Sequence, residues 1–250
     1  MRRTDVDQPV CDEFIAKLKP VQRNDLETDP NWACAPIGVL STWERDTINY
    51  SQTRNFAKTF GLPFVTWPLP IVNEETLELS KEELDRLREE EPERLSGYFV
   101  ESAPCLLSKN IKAVRKLVNG TPALGDSLQF ENNVVPEQLK TAYEKGTFSI
   151  ITLEKPPKAI NLLVGGKHLT WHGVPLDDLS ELIESDTPDA QVVPIMEGPA
   201  EEVTLRSVAA AQFGLDVVKV KHHTCLQAFA MTDFKLQRRT LPKLIAASAF

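Results

Sequence analysis

The residues with the clearest chemical use lie in segment 228–245. Thr232, Lys235, Gln237 and Thr240 fall close together beside Arg238 and Arg239, behind the apolar run Ala228, Phe229, Ala230 and Met231. Hydroxyl, amide and cationic donors at that density suit the phosphate oxygens of a nucleic acid, and Phe234 within the strip can stack on a base. The same spacing fits an amphipathic helix with one wet face. A second cluster, His168, His172, His222 and His223 with Cys225 nearby, offers the ligand types of a zinc site. Gly173 and Pro175 break any helix that would align the i, i+4 pair, so ordinary surface histidines are the simpler reading and no metal ligand is assigned. Trp43, Trp67 and Trp171 are further stacking candidates, although Trp67 sits in an apolar run that favours the core.

Several chemistries are missing. The sequence has no Gly-x-x-x-x-Gly-Lys-Ser/Thr phosphate loop, no Gly-x-Gly-x-x-Gly, no Gly-x-Ser-x-Gly elbow and no His-Glu-x-x-His. No catalytic residue is assigned.

Positioning the strip requires a folded frame, and segment 35–41, short, apolar and bounded by turn formers, reads as a buried strand. Ile48, Phe56, Ala57 and Phe60 then share one helical face over 42–60, stopped by Gly61 and Pro63. Residues 64–67 read as the next strand, so the start of the chain has the order of a βαβ unit and favours a parallel sheet. Segment 80–95 opens with a capping box, Ser80 and Glu83, and reads as a solvated helix ending at Pro92. Beyond Gly97 come short β-prone runs at 98–100, 105–107, 127–130, 148–153, 160–164 and 192–195, which read as a small antiparallel barrel or sheet. Segment 177–189 reads as a loop with a short helix, 205–213 as a helix, 217–220 as a strand and 224–248 as mostly helical.

With 250 residues, 42% of them hydrophobic, the chain can bury one large core or two small ones. Lys plus Arg is 28 against 36 for Asp plus Glu, a net charge of −8, so nucleic-acid contact must come from a local basic strip and not from a global field. Four cysteines without a Cys-x-x-Cys pair point to a reduced, intracellular protein of nucleus or cytoplasm. No apolar run reaches the roughly 18 residues of a spanning helix, and no membrane partner is expected.

Segment 228–241 resembles motif V of Pif-one-like superfamily 1B DNA helicases, closest to the form in Helitron transposons, where Thr-x-x-Lys-x-Gln-Gly-x-Thr is typical. Two further segments agree in order and spacing. Residues 103–110 followed by Leu117, Val118, Asn119, Gly120 and Thr121 are similar to the family's Pro-x-x-Leu-x-x-Asn and Leu-Val-Asn-Gly-Thr stretches. Residues 35–49, with Arg54, Phe56, Ala57 and Pro63, look like the motif that opens the second RecA-like domain.

The resemblance implies an α/β fold: a second RecA-like domain, begun in 1–97 after an N-terminal helical segment, interrupted by a β-rich, barrel-like insertion over 98–200 and resumed in 201–250. It implies that Thr232, Phe234, Lys235, Gln237, Arg239 and Thr240 face single-stranded DNA, with Lys235 on a phosphate. Asn119 and Thr121 would join that surface by holding the insertion's turn, or form a simple Asn-Gly hairpin. Arg54 and Gln237 would stand at the nucleotide cleft, or Arg54 in a helix-surface salt bridge. The departures matter as much. Arg238 stands where the family has Gly, and the phosphate loop, the Mg²⁺-binding acidic strand and the final Arg motif are missing. Implied is the C-terminal part of an ATP-dependent helicase, truncated before the last motif and unable to hydrolyse ATP alone. ATP and Mg²⁺ belong to the complete enzyme, with single-stranded DNA and an N-terminal ATPase half as partners. The alternatives are a non-enzymatic nucleic-acid- or protein-binding module and a decayed transposon remnant.

Overall fold

The structure, a computed structural model, describes residues 35–73, 79–115, 117–165, 191–232 and 244–246. It is a mixed α/β protein. Strand β1 (Ile37–Val39) runs into helix α1 (Thr42–Phe60) and then β2 (Pro63–Pro68). Both ends of α1 are set locally. Ser41 Oγ accepts from the Glu44 amide at 3.1 Å while the Glu44 carboxylate accepts from the Ser41 amide at 3.0 Å. At the other end Gly61, at φ 63°, takes the left-handed conformation that closes a helix without straining a side chain.

Ser80 and Glu83 form the expected capping box at the start of α2 (Lys81–Glu90), which Pro92 separates from the single turn α3 (Pro92–Leu95). The β-prone runs fold as β3 (Ser96–Phe99), β4 (Pro104–Leu107), β5 (Pro122–Gln129), β6 (Ser149–Thr152), β7 (Ala159–Val164) and β8 (Gln191–Met196). Between β5 and β6 lies α4 (Glu137–Lys145), which the sequence reading passed over although Leu139, Ala142 and Tyr143 share a face and Gly146 closes it at φ 58°. The remainder is β9 (Glu201–Thr204), α5 (Val208–Phe213), β10 (Val217–Val220), β11 (Cys225–Gln227), β12 (Ala230–Thr232) and β13 (Ile245–Ala246).

Two readings are corrected here. Among the described residues of 224–248 the regular elements are strands, not helix: β11 pairs antiparallel with β4, and β12 pairs parallel with β1. Residues Ala230, Met231 and Thr232 are buried on every side, and such tertiary pairing overrides local helix preference. The βαβ order does not make β1 and β2 neighbours either. Both edges of β1 are filled, by β12 and β13, while β2 lies between antiparallel β3 and parallel β6 in a second sheet. The antiparallel part is an open five-stranded sheet, β11-β4-β5-β7-β8, and β9 with β10 forms a separate hairpin. The segment 177–189 and the N-terminal residues lie outside the described residues.

Strand β2 divides the core. Phe64 joins Ala57 and Val100 on the α1 side, whereas Val65 and Trp67 point into the larger cluster with Leu87, Phe99 and Leu162. That alternation is the period-two signature of a strand buried on both faces.

The α2–α3 junction also anchors α5. Glu91, 4% exposed, accepts from the amides of Arg206 and Ser207, each at 2.5 Å, and Glu90 accepts from Ala209 at 2.9 Å. A charged acceptor strengthens such bonds by roughly a factor of two over a neutral one. Glu91→Gln keeps an oxygen but removes the charge, and a stability loss of about 1.5 kcal/mol is expected from urea unfolding. A wild-type midpoint would show that the carboxylate is dispensable for holding α5.

Candidate functional site

The parallel pairing Val39↔Thr232 brings the carboxyl ends of β1 and β12 out side by side, next to the first turn of α1. In open parallel sheets this is the end at which ligands bind. Thr232 is 8% exposed and stands at the last described position of β12. Residues 233–243 leave from that point and the chain returns at β13, on the far side of β1. Phe234, Lys235, Gln237, Arg238, Arg239 and Thr240 lie in that stretch, outside the described residues.

A buried amide holds β12 in place. Asn49, 1% exposed and in the middle of α1, donates from Nδ2 to the Ala230 carbonyl at 3.1 Å and accepts at Oδ1 from the Ala230 amide at 2.6 Å. The side chain reproduces one rung of a ladder between helix and strand, and Thr53 Oγ1 in turn donates to the Asn49 carbonyl at 2.6 Å. The sequence reading did not single out Asn49. The available signal was its type, because Asn has a lower helix propensity than most residues and needs a reason to stand in a helix interior.

The other assigned residues are dispersed. Arg54, half-buried on α1, has no partner for Nε among the described residues. Asn119 and Thr121 shape a turn before β5: Val118 N donates to Thr121 Oγ1 at 3.1 Å, Asn119 N donates to Asn110 Oδ1 at 2.8 Å, and Gly120 takes φ 87°. Trp43 is half-buried with the Arg206 guanidinium 5.4 Å from its ring centroid, and Trp67 is 1% exposed. His168, His172 and Trp171 lie outside the described residues.

A cleft of about 480 Å³ opens between α1, α3 and the strands β2, β3, β4, β10 and β11, with Asn49, Trp67, Tyr98 and Asn119 among its lining. Its two polar rims differ. On one, Arg45 Nε donates to Asp46 at 2.7 Å and Arg94 Nη2 lies 3.7 Å from the other Asp46 oxygen. Burial raises the Asp46 carboxyl above its ordinary range, and the two guanidiniums oppose that only in part. On the other rim, His222 Nε2 lies 3.1 Å from Glu201 and Lys109 pairs with the same carboxylate. Burial acts to raise Glu201, but the hydrogen bonds from Lys109 and His222 outweigh it and hold the carboxyl below its usual range. His223 is buried behind this rim, with Nε2 3.1 Å from the Pro157 carbonyl and its ring edge-on to Trp67 at 6.0 Å. No group of three or more metal-ligating side chains occurs among the described residues. No described helix is long and apolar enough to cross a membrane.

No protein-family description matches the sequence, and no curated protein matches it. Among solved structures it is similar to the Pif1 helicase of Candida albicans, at 15% identity and TM-score 0.42 over 97% of this chain and 44% of that one. It is similar to unliganded Pif1 from Bacteroides sp at 10% identity and TM-score 0.37, over 88% of this chain and 48% of that one. A Bacteroides Pif1 structure bound to single-stranded DNA aligns at 9% identity and TM-score 0.38, over 92% of this chain and 36% of that one. The chain spans less than half the length of each.

Proposed function

We propose that the chain supplies the second RecA-like half of a Pif-one-like DNA helicase, of the Helitron type, with a β-rich insertion over 98–200. The observation that supports this reading is the adjacency of β1 and β12. Two of the segments that carry the family resemblance, 193 residues apart by the register Ile37↔Ala230, emerge at one end of a parallel sheet. In this reading Thr232, Lys235, Gln237, Arg239 and Thr240, with Phe234 as a stacking ring, contact single-stranded DNA from the connection between β12 and β13. Arg54 and Gln237 form part of one wall of an ATP cleft.

The residues present do not fit ATP and Mg²⁺ by themselves. The sequence lacks a phosphate loop, and the described residues hold no acidic cluster for a metal. Hydrolysis then belongs to a complex with an ATPase half, which has the cradle of backbone donors that phosphoryl transfer needs.

The test is anisotropy of a labelled single-stranded oligonucleotide at about 50 and about 200 mM salt, for the wild type and Lys235→Ala. The expected result is salt-sensitive binding, with the slope of log K against log salt reduced by about 0.7 in the variant, the value for one phosphate contact on a single strand. Absence of binding at low salt would overturn the reading and favour a protein-binding module.

A further inference from the structure

We infer that the turn between β4 and β5, carrying Lys112 and Arg115, is a contact surface for the phosphate backbone of duplex DNA, indifferent to base sequence. The stretch 102–125 contains Lys109, Lys112, Arg115 and Lys116 and no Asp or Glu, in a chain of net charge −8. At about 0.1 M salt the screening length is about 10 Å, so the acidic remainder of the chain is felt weakly there and the local cations decide what the turn attracts. Lys109 is held by Glu201, whereas Lys112 and Arg115 are exposed and have no carboxylate partner among the described residues.

The backbone fixes those two cations. Ile111 N and Lys112 N both donate to the Leu117 carbonyl, at 2.9 and 3.0 Å, and Leu117 N donates back to the Lys112 carbonyl at 3.2 Å. Leu117 is 8% exposed and belongs to the larger core cluster, so the base of the turn is anchored. Within it Arg115 N donates to the Lys112 carbonyl, closing a single 3₁₀ turn over Ala113–Arg115. Side chains at i and i+3 of such a turn eclipse, so Lys112 and Arg115 leave on one side, about 6 Å apart along its axis. A pair arranged in advance loses little entropy on meeting a row of negative charges.

The remaining side chains select the partner. Ala113 and Val114, the latter 94% exposed, carry no hydrogen-bonding group, so the apex has nothing with which to read a base edge. Segment 102–125 has no Phe, Trp, Tyr or His, the rings on which single strands stack their bases. Phosphate contact without stacking or base readout suits a duplex. A protein partner requires about 800 Å² from each side, with aromatic anchors at its centre, and a three-residue apex supplies neither.

The surface does not rest on the helicase reading, and one experiment tests them separately. Anisotropy of labelled blunt duplexes of about 20 base pairs, in two unrelated sequences, is followed at about 50 and about 200 mM salt beside the single-stranded oligonucleotide. Lys112→Gln with Arg115→Gln removes both charges from exposed positions, and Lys112→Arg with Arg115→Lys retains them. The expected result is equal binding of the two duplexes. The slope of log K against log salt should fall by about 1.8 in the glutamine variant, at about 0.9 per phosphate contact, or its binding should vanish, while the swapped variant keeps the wild-type slope. Thermal unfolding should be the same in all three proteins. A wild-type slope in the glutamine variant overturns the surface, and so does absence of duplex binding at about 50 mM salt. If in that case the wild type self-associates and the glutamine variant does not, the turn docks on an acidic protein face instead. Duplex binding through the turn with no single strand bound keeps the surface and removes the helicase reading. Single-strand binding through Lys235, untouched by the glutamine variant and with no duplex bound, does the reverse.

Discussion

Asn49→Asp is expected to cost about 3 kcal/mol of stability and to shift the urea midpoint down by about 1 M. The replacement is nearly isosteric, so packing in α1 changes little. What changes is the pairing with Ala230. In the native chain Nδ2 donates to the Ala230 carbonyl and Oδ1 accepts from its amide, both fully buried. An aspartate preserves the second bond and sets an oxygen against the Ala230 carbonyl oxygen, in a site where a charge is poorly solvated. Asn49→Ala leaves both backbone groups unsatisfied without that repulsion and is expected to cost less, about 2 kcal/mol. Hydrogen exchange at the Ala230 amide supplies a local readout: it should accelerate in both variants by more than exchange in β7 does. Equal midpoints for wild type and Asn49→Asp would show that β12 is held by its ladder with β1 alone.

Under the helicase reading the same substitution has a second consequence. The strip 232–240 leaves from β12, so loosening Ala230 also loosens the point from which the DNA-contacting residues depart. Single-stranded DNA affinity should fall with Asn49→Ala even where the protein remains folded, and the salt slope should stay at its wild-type value because no phosphate contact is deleted. Lys235→Ala, in contrast, changes the slope.

Local signals were readable where they were complete within a few residues. The Ser41 and Glu44 capping box that sets the start of α1 was equally local but was not used; the end of α1 follows from Gly61 at its last turn, which with the apolar face let the span 42–60 be stated from sequence. The same holds for Ser80 and Glu83 at α2 and for the short β-prone runs, each of which lies within or overlaps a strand. Pairing was not readable, because it is decided by distant partners. Nothing near Ala228 announces that Ala230 will meet Ile37 and Asn49, and a run such as Ala-Phe-Ala-Met is as acceptable to a helix as to a buried strand. The sheet neighbours of β1 come from the far end of the chain for the same reason.

The cleft was the least legible feature. Its rims join Arg45 and Asp46 on α1, Arg94 on α3, and Glu201 and His222 from the last third of the chain. None of these positions forms a spaced motif with another. The histidines illustrate the difference: adjacent in sequence, His222 faces a carboxylate in the cleft whereas His223 turns to a backbone carbonyl in the interior. Residue type signalled ionisable chemistry, but only the fold assigns the two rings to separate environments.

That interior ring makes stability depend on pH. His223 is 3% exposed, and burial pushes its imidazole down from 6.5 to about 4, with only partial opposition from its hydrogen bond to Pro157. The carbonyl can only accept, so Nε2 carries the hydrogen of the neutral ring. Because the folded value lies below the unfolded one, the unfolded chain takes up a proton first as pH falls. The stability owed to a neutral His223 is complete above about 6.5 and is lost progressively down to about 4, where it amounts to about 3 kcal/mol. Below that both states bind the proton and the loss stops growing. Asp46 pulls the other way, since its raised carboxyl relieves a burial cost as it protonates, so the net curve of the wild type understates the histidine's share. His223→Gln isolates it. The amide can still donate to Pro157, does not titrate, and keeps a side chain beside the edge of Trp67. Urea unfolding at several pH values between 7 and 4 should show the wild type losing stability relative to the variant as the pH drops, with the two curves converging or crossing. Parallel curves across that window would show that His223 is protonated in the folded chain at the same pH as in the unfolded one, and that the ring is not sealed behind Trp67.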